Sequence, residues 1–285
     1  MNDLTKVSFT NLDKILYPGL KVKKSQVIEY YIRIAPKMLG LLKDRAIVLN
    51  RFPDGIEGEG FYEKNSPMGT PSWVKTFYRY SETAQRDLYY IICNDLDTLI
   101  WMANLAALEI NITLSKTDSF DIPDLVLFDI DPEPPLTFDD VMDVALLLKE
   151  KLDELNFRAF VKTSGKKGLH IVLPVESGYN FRQTREFVHQ FGKFLARGSD
   201  LIVSEFTQSR DPGTIFIDYL QNTEGKTMIA PYSLRAEPDA AVSTPLEWKE
   251  LKKGLRPQEF NIFTVLKRKT SPWEGLLDSR QKLEV

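Results

Sequence analysis

The sequence predicts a mixed α/β fold. Three observations lead there: short apolar runs that stop abruptly at proline or aspartate, stretches of helical periodicity between them, and no repeat or low-complexity linker anywhere in 285 residues. With 43% hydrophobic and 11% aromatic content, the chain can bury a full core, as one large domain or two fused lobes.

Each element follows in order. Residues 26–43 read as a helix, because Val27, Tyr30, Tyr31, Ile34 and Leu39 fall near helical spacing. A second helix is expected over 96–111, behind an Asn94-Asp95 cap. Between them the chain reads as irregular; residues 50–60 are rich in turn formers and predict a loop or hairpin leading to Phe61-Tyr62-Glu63-Lys64. Residues 125–131 form a short apolar run ended by Pro132 and Pro134-Pro135, which reads as a buried strand with an abrupt stop. A helix is expected to start at Thr137, which can cap it while Asp139 and Asp140 favour the positive end of its dipole. Val141, Val144, Leu148, Leu152 and Leu155 continue one apolar face. Strands are expected at 159–163, 169–175 and 214–219, with a helix over roughly 181–197.

Composition narrows the function classes. No apolar run reaches membrane length, and Met-Asn-Asp-Leu-Thr-Lys lacks a signal-peptide pattern, so a cytoplasmic protein with no membrane partner is expected. One cysteine, Cys93, excludes an internal disulfide and a cysteine-based zinc cluster; with only two histidines, any metal is expected to be held by oxygen. The net charge of −3 hides a marked asymmetry. Residues 1–50 carry nine Lys or Arg against four Asp or Glu, residues 251–270 carry six against one, and residues 121–160 carry three against eleven. An acidic block flanked by basic segments fits a cation-binding centre beside a phosphate-binding surface, and also fits ordinary solvated helix faces.

Chemistry enters at the 125–131 strand. Side chains two apart on a strand share a face, so Asp129 and Asp131 point the same way, opposite Phe128 and Ile130. Two carboxylates that close repel unless a hard divalent cation such as Mg²⁺ or Mn²⁺ lies between them, although Asp-x-Asp-Pro at a strand end also suits a simple turn cap. Asp218 is a lone carboxylate inside the apolar strand Thr214-Ile-Phe-Ile-Asp218-Tyr219, where an unpaired charge is costly. If the two strands are neighbours, three carboxylates can clamp two ions for in-line phosphoryl displacement. The glycine-bounded turn Ser164-Gly165-Lys166-Lys167-Gly168-Leu169-His170 suits a triphosphate, since glycines let backbone approach an anion and lysines add charge. The same composition also makes a plain hairpin, and His170 alone also reads as a core histidine.

Phe-Asp-Ile-Asp-Pro at 128–132, Thr-Ser-Gly-Lys-Lys-Gly-Leu-His at 163–170, Ile-Asp-Tyr-Leu-Gln-Asn at 217–222 and Ala-Pro-Tyr-Ser-Leu-Arg at 230–235 closely resemble the polymerase domain of prokaryotic ligase D. That family of non-homologous end-joining polymerases belongs to the archaeo-eukaryotic primase superfamily, and the resemblance runs in order over essentially the whole chain. It implies a primase-like catalytic core with central antiparallel or mixed sheets flanked by helices, in a single 1–285 domain with an N-terminal lobe of about 1–115 and a catalytic lobe of about 116–285. By the same resemblance Asp129, Asp131 and Asp218 match the metal triad. Ser164, Lys167 and His170 match the nucleotide-contacting turn, with the serine near the sugar 2′-hydroxyl, and Gln221 and Arg235 complete the nucleotide pocket. Asn11, Lys14 and Lys24 match a pocket for a downstream 5′-phosphate, Phe61 and Tyr62 match template-stacking aromatics, and Arg51 matches a nearby phosphate contact.

The resemblance further implies a preference for ribonucleotides, stimulation by Mn²⁺, filling of gaps across bridged ends, and NTP or dNTP substrates. Related domains are commonly fused to a ligase and a phosphoesterase, whereas this sequence ends at Val285 with neither. A separate ligase and a Ku-like end-binding protein are therefore the expected partners, in the nucleoid of a prokaryotic cytoplasm. Two alternatives stay open at this point. A haloacid-dehalogenase-like phosphatase would use an Asp-Ile-Asp strand, but it leaves the glycine-lysine turn unexplained and meets Glu133 where Thr or Val is usual. A non-catalytic DNA-end clamp would need only the N-terminal phosphate pocket and leaves the three aspartates unexplained.

Overall fold

The structure is a computed structural model that describes residues 6–82, 85–207 and 209–283. In chain order the first elements are β1 (Ile15–Tyr17), β2 (Val22–Lys23), α1 (Lys24–Leu42), β3 (Ala46–Arg51), β4 (Phe61–Glu63), β5 (Lys75–Ser81), β6 (Arg86–Ile92), α2 (Leu96–Asn104) and β7 (Ala107–Thr113). There follow β8 (Leu125–Pro132), α3 (Phe138–Glu154), β9 (Phe160–Thr163), β10 (Leu169–Pro174), α4 (Phe181–Ala196), β11 (Ile202–Val203), β12 (Ile215–Asp218), β13 (Thr227–Ile229) and β14 (Pro245–Leu246). The mixed α/β class expected from the sequence is what the chain adopts.

The described residues divide into two compact units. The first holds those up to Thr113 together with Thr227–Ser243 and Phe260–Arg268; the second holds Leu114–Lys226, Thr244–Glu259 and the residues from Lys269 on. The first unit is built on an antiparallel sheet in the order β13-β7-β3-β6-β5, with β4 also paired to β3. Helix α1 buries Val27, Tyr30, Tyr31, Ile34, Met38 and Leu42, a stripe at helical spacing in which Met38 and Leu42 take the place expected of half-buried Leu39. Tyr31 donates from its hydroxyl to the Leu108 carbonyl at 2.7 Å, so the helix is fastened to β7 by a buried polar bond as well as by packing.

Two expectations fail here. The helix predicted over 96–111 ends at Asn104, although its cap is present, with Asp95 accepting from the Thr98 N–H at 2.8 Å. Ala106 takes φ 57°, a left-handed conformation that stops the helix, and Ala-Leu-Glu-Ile-Asn-Ile-Thr then runs as the fully buried β7. The stretch read as irregular between the first two helices contains β3, β5 and β6. Ala46 to Leu49 is an unbroken buried apolar run, and β5 with β6 forms a hairpin whose residues alternate in exposure.

The second unit is a six-stranded sheet in the order β11-β12-β8-β10-β9-β14, antiparallel except where β11 runs alongside β12. Helix α3 starts as expected after Thr137, whose N–H and hydroxyl both donate to Asp140 at 2.7 and 2.8 Å. Val141, Val144, Leu148 and Leu152 are buried, whereas Leu155 caps the C-terminus and is exposed. Phe128 on the inner face of β8 meets Phe187 and Phe191 of α4 in edge-to-face contacts with ring centroids 6.2 and 5.7 Å apart. That packing fixes which face of β8 turns away from the core. No helix among the described residues is long and apolar enough to cross a membrane.

Candidate active site

The strand register of the second unit gathers the acidic residues. Asp218 on β12 is the direct antiparallel partner of Asp129 on β8, and Asp131 lies two residues along on the same face. Directly opposed residues have Cβ atoms about 5 Å apart, so three carboxylates can be brought together by side-chain rotation alone. β10 then sets His170 opposite Asp129, and its Nε2 lies 3.2 Å from Asp129 Oδ1.

Each carboxylate has its own environment. Burial pushes Asp129 up, but His170, with Lys162 and Arg210 behind it, overcomes this and holds it below the usual carboxylate range. Asp131 is pushed up to about 6 by burial and by the charge of Asp129, against the pull of Arg210 and Lys167. Asp218 is also raised, by burial and then by Asp129; the Leu220 N–H at 2.9 Å and Gln221 Nε2 at 3.1 Å donate to it in return. Two raised carboxylates beside a lowered one describe a centre short of positive charge. This donor set of three oxygen-bearing groups suits a hard divalent cation. Among the described residues no three His, Cys, Asp or Glu side chains stand close enough to hold a metal ion as they are oriented; Asp129 faces His170 and Asp218 accepts from the Leu220 N–H.

The 163–170 turn is the β9–β10 hairpin loop, and its two glycines have different reasons. Gly165 takes φ 79°, which L side chains rarely adopt. Gly168 is there for space: a Cβ would meet the Ile130 carbonyl oxygen at a distance no real carbon reaches, and would lie 3.0 Å from Asp131 Oδ1. Ser164 Oγ accepts from the N–H groups of Lys166 and Gly168 at 3.3 and 3.1 Å, closing the loop. Lys167 donates to the Pro132 carbonyl at 2.7 Å from a side chain that is still more than half exposed.

Arg210 is a residue that the sequence reading missed. Its Nη1 lies 3.7 Å from Asp131 Oδ2 and 3.4 Å from Glu133 Oε1, and its guanidinium sits over the Phe216 ring at 4.8 Å. It comes from a Ser-Arg-Asp-Pro-Gly loop with no periodicity, and only the fold brings it to the strand end. Lys162, fully buried on β9, was missed as well.

Arg235 belongs to the first unit. Its Nε lies 3.1 Å from Glu109 Oε1, and that buried carboxylate also accepts from Asn50 Nδ2 at 2.9 Å and from the Ala236 N–H at 3.2 Å. The remaining sequence-derived residues lie in the same unit. Asn11, at φ 51°, accepts with its carbonyl from the Lys14 N–H at 3.0 Å, and the Lys14 carbonyl accepts from the Lys24 N–H at 2.8 Å, which seats the loop on the start of α1. Lys14 pairs with exposed Asp54 at 2.6 Å, and Lys24 Nζ donates to Thr10 Oγ1 at 3.1 Å. Burial, then the charges of Lys14 and Arg51, lower Lys24 to about 8. Arg51 is engaged by Glu63 at 2.8 Å and by the Leu105 carbonyl at 3.0 Å, and it lies over the Phe61 ring at 5.2 Å. Phe61 and Tyr62 on β4 are 43% and 68% exposed, unusual for adjacent aromatics with no apolar cover.

The model of the LigD primase-polymerase domain family matches residues 23–273. The bifunctional non-homologous end joining protein LigD of Bacillus subtilis is 34% identical over 267 residues, covering 92% of this chain and 42% of that protein. The multifunctional LigD of Mycolicibacterium smegmatis is 31% identical over 255 residues, covering 88% of this chain and 33% of that protein. The chain thus spans less than half the length of these curated relatives. The polymerase domain of Mycobacterium tuberculosis ligase D, solved in complex with DNA, matches with a TM-score of 0.88 at 27% identity, over 97% of this chain and 100% of that one. With the paired aspartates of β8 and β12 and the glycine-lysine hairpin beside them, these matches establish that the chain belongs to the LigD primase-polymerase domain family, a family of nucleotidyltransferases.

Proposed function

We propose that the chain is a template-dependent polymerase of DNA end repair, which extends a primer 3′-hydroxyl at gaps and broken ends during non-homologous end joining. The observation that carries this reading is the register that sets Asp218 opposite Asp129, with Asp131 on the same face. These three aspartates would hold two Mn²⁺ or Mg²⁺ ions, which when bound activate the hydroxyl and neutralise the triphosphate. His170 engages one oxygen of Asp129, which orients that carboxylate on the strand. At Asp218 the Leu220 N–H donates to one oxygen and Gln221 Nε2 to the other, which fixes the carboxylate plane. Lys167 offers an exposed ammonium to the polyphosphate, and Ser164 lies near the sugar, in keeping with a preference for ribonucleotides. In the first unit, Arg235, held by Glu109, is a further cation for the nucleotide.

In the first unit, Asn11, Lys14 and Lys24 take the downstream 5′-phosphate, with Arg51 as a neighbouring cation. Phe61 and Tyr62 stack on template bases, a contact that any base satisfies. In cellular terms the substrates are gapped or broken DNA with NTPs or dNTPs. Sealing falls to a ligase and end capture to a Ku-like protein, at the nucleoid of a prokaryotic cytoplasm.

The test is extension of a gapped duplex by a templated ribonucleotide in the presence of Mn²⁺. Wild type is expected to extend, and to do so better when the downstream strand carries a 5′-phosphate; Lys14→Ala with Lys24→Ala is expected to erase that difference. Extension indifferent to the phosphate in the wild type removes the 5′-phosphate assignment, and extension that survives Asp218→Ala removes the catalytic one.

A further inference from the structure

Four of the six strands of the second sheet contribute one polar side chain each to a single row. β9 pairs Lys162 with His170 of β10, β10 pairs His170 with Asp129 of β8, and β8 pairs Asp129 with Asp218 of β12. Directly opposed residues point to the same face, so the row reads Lys162, His170, Asp129, Asp218 in consecutive strands. Beyond Lys162 it is closed by Pro245 of β14. Lys162 is 0% exposed. A buried ammonium is costly to keep in a fold unless it is compensated by its surroundings. Shielded from solvent, it cannot touch a nucleotide, so its contribution passes through its neighbour in the row.

We propose that Lys162 is a positioning residue of the carboxylate centre: its buried stem and ammonium hold the His170 ring turned toward Asp129, and so fix which oxygen of Asp129 is offered to a divalent cation. The cation one strand away disfavours a ring orientation that turns an N–H toward it, and favours the one in which Nε2 lies 3.2 Å from Asp129 Oδ1. Groups that orient a metal ligand without touching the metal are worth about 10- to 100-fold in affinity. The inference rests on the metal-binding reading given above.

The test uses the full chain and Lys162→Met, with Mn²⁺ binding measured by calorimetry. If Lys162 acted only as a nearby charge, removing it would tighten Mn²⁺, because like charges repel. As a positioning residue, its removal is expected to weaken Mn²⁺ by about tenfold. Added to His170→Ala, Lys162→Met is expected to cause no further loss, since both changes break one chain of contacts. Unchanged or tighter Mn²⁺ binding overturns the proposal, whereas a wild type that binds no Mn²⁺ overturns the metal reading itself. The chain has two histidines, His170 and His189, so nitrogen-15 spectra of labelled histidine resolve each ring. If Lys162→Met does not fold, the wild-type spectrum decides: a His170 Nε2–H held in a hydrogen bond supports the proposal, and a freely averaging ring overturns it.

Discussion

At Gly168 the absence of a side chain lets the β9–β10 hairpin lie against the end of β8. A methyl group there would press on the Ile130 carbonyl and the Asp131 carboxylate, so the hairpin or the acidic strand end would have to move. Gly168→Ala is therefore expected to lower nucleotide incorporation by about 100-fold, in line with the cost of small misplacements around reacting groups, with a loss of stability of about 1–3 kcal/mol. Steady-state extension assays and thermal unfolding measure the two effects. Asp218→Asn is a sharper case, because the amide keeps the shape and the Leu220 N–H bond while removing the charge. It is expected to abolish extension, by about 10³-fold or more, without lowering the unfolding temperature, since the group it replaces is a buried carboxylate already destabilised by Asp129. Loss of the fold in Asp218→Asn would show instead that the charge is structural.

Among the elements, the start of α1 has its own electrostatic signature. Lys24 is buried at the first helical position and lowered to about 8 from the lysine value of 10.5. A lysine whose value falls on folding costs stability wherever it is charged in both states, below pH 8. The cost fades between about 8 and 10.5, and is gone above. Lys24→Met is thus expected to stabilise the protein by on the order of 1–3 kcal/mol at pH 7, and by nearly nothing at pH 11, while weakening recognition of a 5′-phosphate; unfolding midpoints across that pH range test the sign. What the sequence made legible follows similar physics. β8, β12 and the β9–β10 hairpin were readable because proline, aspartate and paired glycines punctuate short apolar runs. α1, α3 and α4 were readable because their apolar stripes recur over several turns. β7 was not, because Ala-Leu-Glu-Ile following a capped helix carries no breaker, and the stop at Ala106 is a backbone conformation rather than a residue type. β3 was missed although the turn formers of residues 50–60 follow it directly, and β5 and β6 carry polar and aromatic residues without an unbroken apolar run. In the site, three aspartates and the hairpin could be found from residue spacing, whereas Arg210 and the Lys162 row depend on strand register, which is written in pairings between distant segments.

For the whole molecule, the chain passes from the first unit to the second and back more than once. β13 closes the first sheet against β7, and Tyr30 donates from its hydroxyl to the Tyr232 carbonyl at 2.8 Å, so residues beyond 226 complete a core that begins before residue 50. A fragment ending at Lys226 is expected to lack cooperative unfolding by calorimetry, even though it keeps every aspartate of the centre; a sharp transition in that fragment would contradict this. Glu109 makes the same point on a smaller footing. One carboxylate receives Asn50 from β3, the Ala236 amide and the Arg235 guanidinium. Those partners are synthesised far apart in time, so the seat is complete only once residues 50, 109, 235 and 236 have all been made. Any nascent stretch that stops short of residue 235 therefore leaves that buried carboxylate without its cation, a delay imposed by connectivity alone.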